Sequence, residues 1–153
     1  MRVYRLSKKK YREDLSGRGA EIAGGRWNSV GVALLYTGEN RALCTAEIAV
    51  HTPLGVTPQD YYLITIALPD VSMKEIRAED LDKSWRTFPH QPYTKTYGDD
   101  FVRRNEHLIL KVPSAVIQGE YNYLINPKHQ HFEQVKIVRS EPFVFDKRLF
   151  EKT

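Results

Sequence analysis

One cysteine, Cys44, stands in a chain of 153 residues, so no internal disulfide can form. That usage fits a reducing compartment, and a chain of this length builds a core rather than relying on covalent staples. No stretch approaches the ~20 apolar residues that a membrane-spanning helix needs. The first residues, MRVYRLSKKKYRED, carry charge where a secretory leader would need its apolar core. The expectation is a cytoplasmic protein with no membrane partner. Glycine-built phosphate cradles are missing too: there is no P-loop and no G-x-G-x-x-G turn. Ser114, in KVPSAV, has no G-x-S-x-G elbow around it, which leaves a hydrolase nucleophile unsupported. No repeat, low-complexity tract or linker divides the chain.

Hydrophobic residues make up 41% of the chain and charged ones 27%, ordinary values that point to one globular domain spanning 1–153. The net charge of +4, with a pI near 9.1, is compatible with nucleic acid, an anionic small molecule or an acidic protein partner. Lys8, Lys9 and Lys10 form the one dense basic run, readable as a solvated loop or as a weak nucleic-acid signal.

Periodicity predicts strands at 2–6, 32–37, 61–68 and 107–112, with residues 7–25 between the first two as a long loop. A helix is predicted over 39–51, closed by Thr52-Pro53. Residues 73–85 hold a short strand and one helical turn, 86–100 are irregular, and a helix begins near 100. The tail alternates on both sides of Glu141-Pro142, which predicts a final pair of strands. Strands outnumber helices without alternating with them, so the expected fold is α+β, one compact domain with a bent mixed sheet and flanking helices.

The chemistry gathers around GGRWNSVGVALLYTG, residues 24–38, where Arg26, Trp27 and Asn28 follow two glycines and lead into a strand ending near Tyr36. In the next helix, Leu43, Ala46, Glu47 and Val50 share a face, so a carboxylate sits in an apolar stripe. Two readings stand: Glu47 reaches solvent at the stripe's edge, or it is buried with a partner, for which Arg26 is available. Tyr36 reads as a core aromatic with Trp27 as a lid over it, and Ser114 as a strand-end cap. NYLINPKHQHF, 122–132, reads as a turn-like segment. Its His129 and His131 alternate as metal ligands can, but no third ligand is suitably spaced, so no metal is expected.

These stretches, with AEIAVH, VPSAVIQGEYNYLINPKHQHF and EPFVFDKRL, resemble the RES-domain family, named for an Arg, a Glu and a Ser that match Arg26, Glu47 and Ser114. The likeness runs from VYRL to FDKRL, nearly the whole chain. It implies a fold similar to ADP-ribosyltransferases and a toxin of a bacterial type II toxin–antitoxin pair that consumes NAD at the nicotinamide–ribose bond, as a glycohydrolase or phosphorylase. NAD is then the substrate, and no resident cofactor is implied.

The site implied by the resemblance includes Arg26, Tyr36 and Glu47, with Arg5 as an earlier arginine. Arg5 and Arg26 would bind the diphosphate, Tyr36 would stack on nicotinamide, and Glu47 would stabilise the ribose cation. Ser114 would hydrogen-bond the carboxamide or a ribose hydroxyl, while Trp27 and Asn122 line the pocket. The glycines before Arg26 would let backbone approach the ligand. The implied partner is an antitoxin with an Xre-like helix-turn-helix domain covering the active site, with a homodimer possible inside that assembly and no direct contact with nucleic acid. Two alternatives stay open: transfer of ADP-ribose to a protein, and a non-enzymatic basic nucleic-acid-binding module.

Overall fold

The computed structural model describes residues 1–152. Among them, seven strands form one sheet: β1 (Arg2–Lys8), β2 (Leu35–Gly38), β3 (Tyr61–Ala67), β4 (Lys74–Glu75), β5 (Ile109–Pro113), β6 (Tyr121–Ile125) and β7 (Lys136–Phe143). Their order is β4-β5-β6-β2-β1-β3-β7, with the β4–β5 pair parallel and the rest antiparallel. The α-helices are α1 (Arg18–Ala23), α2 (Arg41–Val50) and α3 (Pro92–Arg104). The expected α+β architecture with a mixed sheet is what forms.

The apolar runs of β5 and β6 follow from burial on both faces. Ile109 and Ile125 point into one core with Val3, Ile64 and Ile66, while Leu110, Val112 and Leu124 point into another with Trp27, Trp85 and Phe101. One join in this sheet is weak. β1 pairs with β3 at every position from Arg2 to Lys8, but with β2 at a single register, Tyr4↔Gly38. Arg5 and Leu6 on one strand, and Tyr36 and Thr37 on the other, therefore line an opening in the sheet.

Several expectations change. Residues 7–25 are not all loop, because Arg18–Ala23 form α1, a short helix whose flanking glycines disguise it. The helix expected near residue 100 starts at Pro92, where proline occupies a first-turn position that has no helical hydrogen bond to lose. The segment at 122–132 begins as strand β6 rather than as a turn. The tail is one strand, not two, because β7 is an edge strand and tolerates Pro142. On α2, Val50 is exposed, and the residues buried against the sheet are Leu43 and Cys44. Burial pushes the Cys44 thiol up to about 12.

Candidate active site

The opening between β1 and β2 is the floor of a cleft of about 800 Å³. One wall is α2, which starts at Asn40, whose side chain accepts from the Leu43 N–H at 2.8 Å and caps the helix. From there Cys44, Glu47, Ile48 and His51 face the cleft at helical spacing. The opposite wall is the loop after α1, which carries Arg26.

That loop is built around Asn28, which is fully buried. Its Nδ2 donates to the carbonyls of Ala20 at 2.8 Å and Val32 at 3.0 Å. Its Oδ1 accepts from the Tyr36 hydroxyl at 2.7 Å, and that hydroxyl in turn accepts from the Trp27 N–H at 3.0 Å. A Cβ on Gly25 would lie 2.8 Å from the Tyr36 hydroxyl oxygen, so this glycine makes room for the tyrosine, and with Gly24 it lines the cleft. With its hydroxyl committed, Tyr36 offers the cleft its ring. Burial holds that phenol above its ordinary range.

Arg26 is half-buried and its Nη1 donates to the carbonyls of Trp85 at 2.8 Å and Thr87 at 2.9 Å. Arg5 donates to the Asp14 carbonyl at 3.1 Å. Neither guanidinium is in ion-pair contact with a carboxylate among the described residues. Burial lowers the proton affinity of both, opposed by Asp14 at Arg5 and by Glu47 at Arg26. Arginine stays charged through such shifts, so the cleft holds two cations with no carboxylate in direct contact among the described residues. The structural ion pair between Arg26 and Glu47 does not form; their coupling is through space.

Glu47 is half-buried and lines the cleft, so it matches neither reading fully: it is not on the open surface, and it is not ion-paired with Arg26. Burial raises its pKa, while the charges of His51 and Arg26 and hydrogen bonds from Ser114 and Asn122 act the other way. Ser114 Oγ lies 3.4 Å from Glu47 Oε1 and accepts from the N–H groups of Val116 at 3.1 Å and Ile117 at 3.0 Å. At 2% exposure it meets the carboxylate from within the fold and is not among the residues that line the cleft. Asn122 does line the cleft. Trp27 is not a lid: its indole is buried against Trp85 and Tyr97, and it meets the cleft only as wall.

Chemically, a cleft with two guanidiniums and a carboxylate can hold an anionic group and stabilise positive charge nearby. A model of the RES domain matches residues 2–146. The chain belongs to the RES-domain family. Over 143 residues it is 35% identical to the Prs ADP-ribosylating toxin of Sphingobium sp. (strain YBL2), covering 92% of this chain and 89% of that protein. Over 151 residues it is 32% identical to Toxin Res of Yersinia enterocolitica, covering 97% and 99%. Among solved structures it is similar to a chain of the M. tuberculosis MbcT–MbcA toxin–antitoxin complex, with a TM-score of 0.75 at 20% identity over 94% of this chain and 84% of that one. At that identity the likeness is one of fold.

In this RES domain the named arginine and glutamate face one cleft and the serine backs the glutamate. Sequence reasoning missed the rim, where Arg86, Phe88 and His90 cross from the segment before α3 and Phe88 stands against His51. Only His51 left a signal, lying one helical turn after Glu47. His129 and His131 are elsewhere: His129 is buried and its Nδ1 accepts from the His131 N–H at 3.1 Å. No group of three metal-ligating side chains is found among the described residues. Nor is any helix there long and apolar enough to cross a membrane. Lys8, Lys9 and Lys10 are exposed, with Lys8 over the Tyr61 ring and Lys10 over the Tyr11 ring.

Proposed function

We propose that the chain is the toxin of a bacterial toxin–antitoxin pair and that it consumes NAD by breaking the nicotinamide–ribose bond. The observation that carries this reading is a half-buried carboxylate, Glu47, in one cleft with two guanidiniums that no carboxylate touches among the described residues. In this reaction the C–N bond breaks, its electron pair leaves with nicotinamide, which departs neutral, and the ribose carbon becomes oxocarbenium-like. Glu47 stabilises that charge and orients the acceptor, water or phosphate. Arg5 and Arg26 hold the diphosphate, and the Tyr36 ring stacks on the nicotinamide, which is cationic until cleavage. Purified protein should deplete NAD and release nicotinamide. Added phosphate names the acceptor, by turning ADP-ribose into its phosphate or leaving it unchanged. Intact NAD under both conditions, with no labelled protein in the test below, would sink the reading.

A second acceptor is favoured by one observation, the name of the Sphingobium relative as an ADP-ribosylating toxin. NAD labelled in its adenylate half separates the two: label that stays with a protein means transfer, and label in small molecules means hydrolysis or phosphorolysis. The partner in this reading is an antitoxin of the Xre-like helix-turn-helix kind that covers the cleft and supplies the pair's contact with DNA. The exposed lysine run is then a solvated surface.

Ser114 gives this mechanism a pH test. Turnover needs ionised Glu47, so it rises with pH through the Glu47 pKa, which burial places above the ordinary carboxylate range. The Ser114 hydrogen bond favours the ionised form. Ser114→Ala should therefore move the acid limb of kcat/KM to higher pH. A limb that stays in place, or moves down, contradicts the supporting role.

A further inference from the structure

The Trp85 and Thr87 carbonyls hold the tip of Arg26, and its backbone is placed by the loop that carries it. Residues 26 to 29 are each met by one residue of α3. Thr94 Oγ1 donates to the Arg26 carbonyl at 2.7 Å. Gly98 lies directly under the Trp27 carbonyl, and Lys95 Nζ reaches the Asn28 carbonyl at 3.4 Å. Asp99 closes the set, with Oδ1 accepting from the Ser29 N–H at 2.8 Å and Oδ2 from the Ser29 hydroxyl at 2.6 Å. Positions 94, 95, 98 and 99 form one helical face. Asp99 uses both oxygens on one residue and has no cationic partner within ion-pair distance among the described residues. A half-buried carboxylate so committed is an anchor, because hydrogen bonds to a charged acceptor are stronger than neutral ones.

We propose that Asp99 is a positioning residue for the cleft, fixing through Ser29 the loop that presents Arg26 to an anionic ligand. It touches no ligand itself, and Asp99 is not among the residues lining the cleft. The kinetic form of this inference rests on the NAD-cleaving reading; the structural form does not.

The test compares the parent protein with Asp99→Ala, Asp99→Asn, Arg26→Ala and the Arg26→Ala/Asp99→Ala double variant. Readouts are NAD turnover, binding of ADP-ribose by calorimetry, and amide exchange. Asp99→Ala is expected to raise KM and weaken ADP-ribose by about tenfold or more, as fits a lost charged hydrogen-bond anchor, while kcat falls less than about threefold. Asp99→Asn keeps one acceptor for Ser29 and should recover much of that loss. If Asp99 acts through Arg26, the double variant is no worse than Arg26→Ala alone, whereas a merely structural role makes the losses multiply. Exchange at the Gly25 and Trp27 amides, which bond to Asn28 O and Tyr36 Oη, should quicken in Asp99→Ala. This arm needs no substrate, so it stands if the parent protein leaves NAD intact and fails to bind ADP-ribose, the result that would end the NAD reading. Unchanged exchange at these amides, or multiplying losses, overturns the inference. Should Asp99→Ala fail to fold, Ser29→Ala, which removes the hydroxyl that donates to Asp99 Oδ2, carries the same comparison.

Discussion

Glu47→Gln is expected to fold like the parent protein and to lose NAD turnover by about 10²–10³-fold or more, the range seen when one preorganised electrostatic contact to a transition state is removed. The side chain is nearly isosteric, and its amide can still meet Ser114 and Asn122, so the cleft keeps its shape. What vanishes is a negative charge in a site where partial burial strengthens its field. Burial alone disfavours ionised Glu47, so the fold carries a destabilising group that function requires. The neutral variant should thus melt no lower than the parent, and a small rise would be natural. Substrate affinity should change little, because Arg5 and Arg26 are untouched. A folded Glu47→Gln protein at the parent's rate would remove the carboxylate from the mechanism. One that loses affinity instead of kcat would reassign it to binding.

The largest effect on stability is expected at Gly98. A Cβ built there would lie 1.7 Å from the Trp27 carbonyl oxygen and 2.8 Å from its carbon, both backbone atoms that cannot swing aside. The helix and the loop must then separate, and with them go the contacts of Thr94 and Asp99. Overpacking a core costs about 1–3 kcal/mol and sometimes more; a clash between two backbones belongs at the upper end, about 3 kcal/mol. In a domain of this size that lowers Tm by roughly 6–12 °C. Gly19, the second residue of α1, has open space where its Cβ would stand. Gly19→Ala should therefore stabilise by about 0.4–1 kcal/mol, chiefly by restricting the unfolded chain. Thermal melts of the two variants should move in opposite directions. If Gly98→Ala melts with the parent, the close contact between α3 and the loop is wrong.

The same glycine explains much of what the sequence concealed. α3 reads as irregular because Pro92, Thr94, Thr96 and Gly98 are poor helix formers away from context; its reason to be helical is the loop that it grips. α2 was legible at its end, because Thr52-Pro53 stops a helix whatever surrounds it, yet its buried face was misjudged from a helix apolar over most of its circumference. β5 was legible as an apolar run, though burial on both faces appears only once two cores exist. At the site, spacing left Glu47 undecided, and the family likeness singled out Arg26, Tyr36 and Glu47. The direction of a side chain was never legible. Ser114 could be named, but that it backs the carboxylate depends on how β5 ends. Asp99 left no trace at all, since its partner lies 70 residues away.

The parting of β1 from β2 has a consequence of its own. A strand edge turned outward is a template on which foreign chains can add, and folds spend residues on guarding it. Here two neighbouring strands part beyond a single register pair, and the residues past that join line the cleft rather than the sheet's outer edge. Main-chain groups that lack a β1–β2 partner there are open to what enters the cleft. Because they belong to the backbone, substitution of the lining side chains leaves them in place.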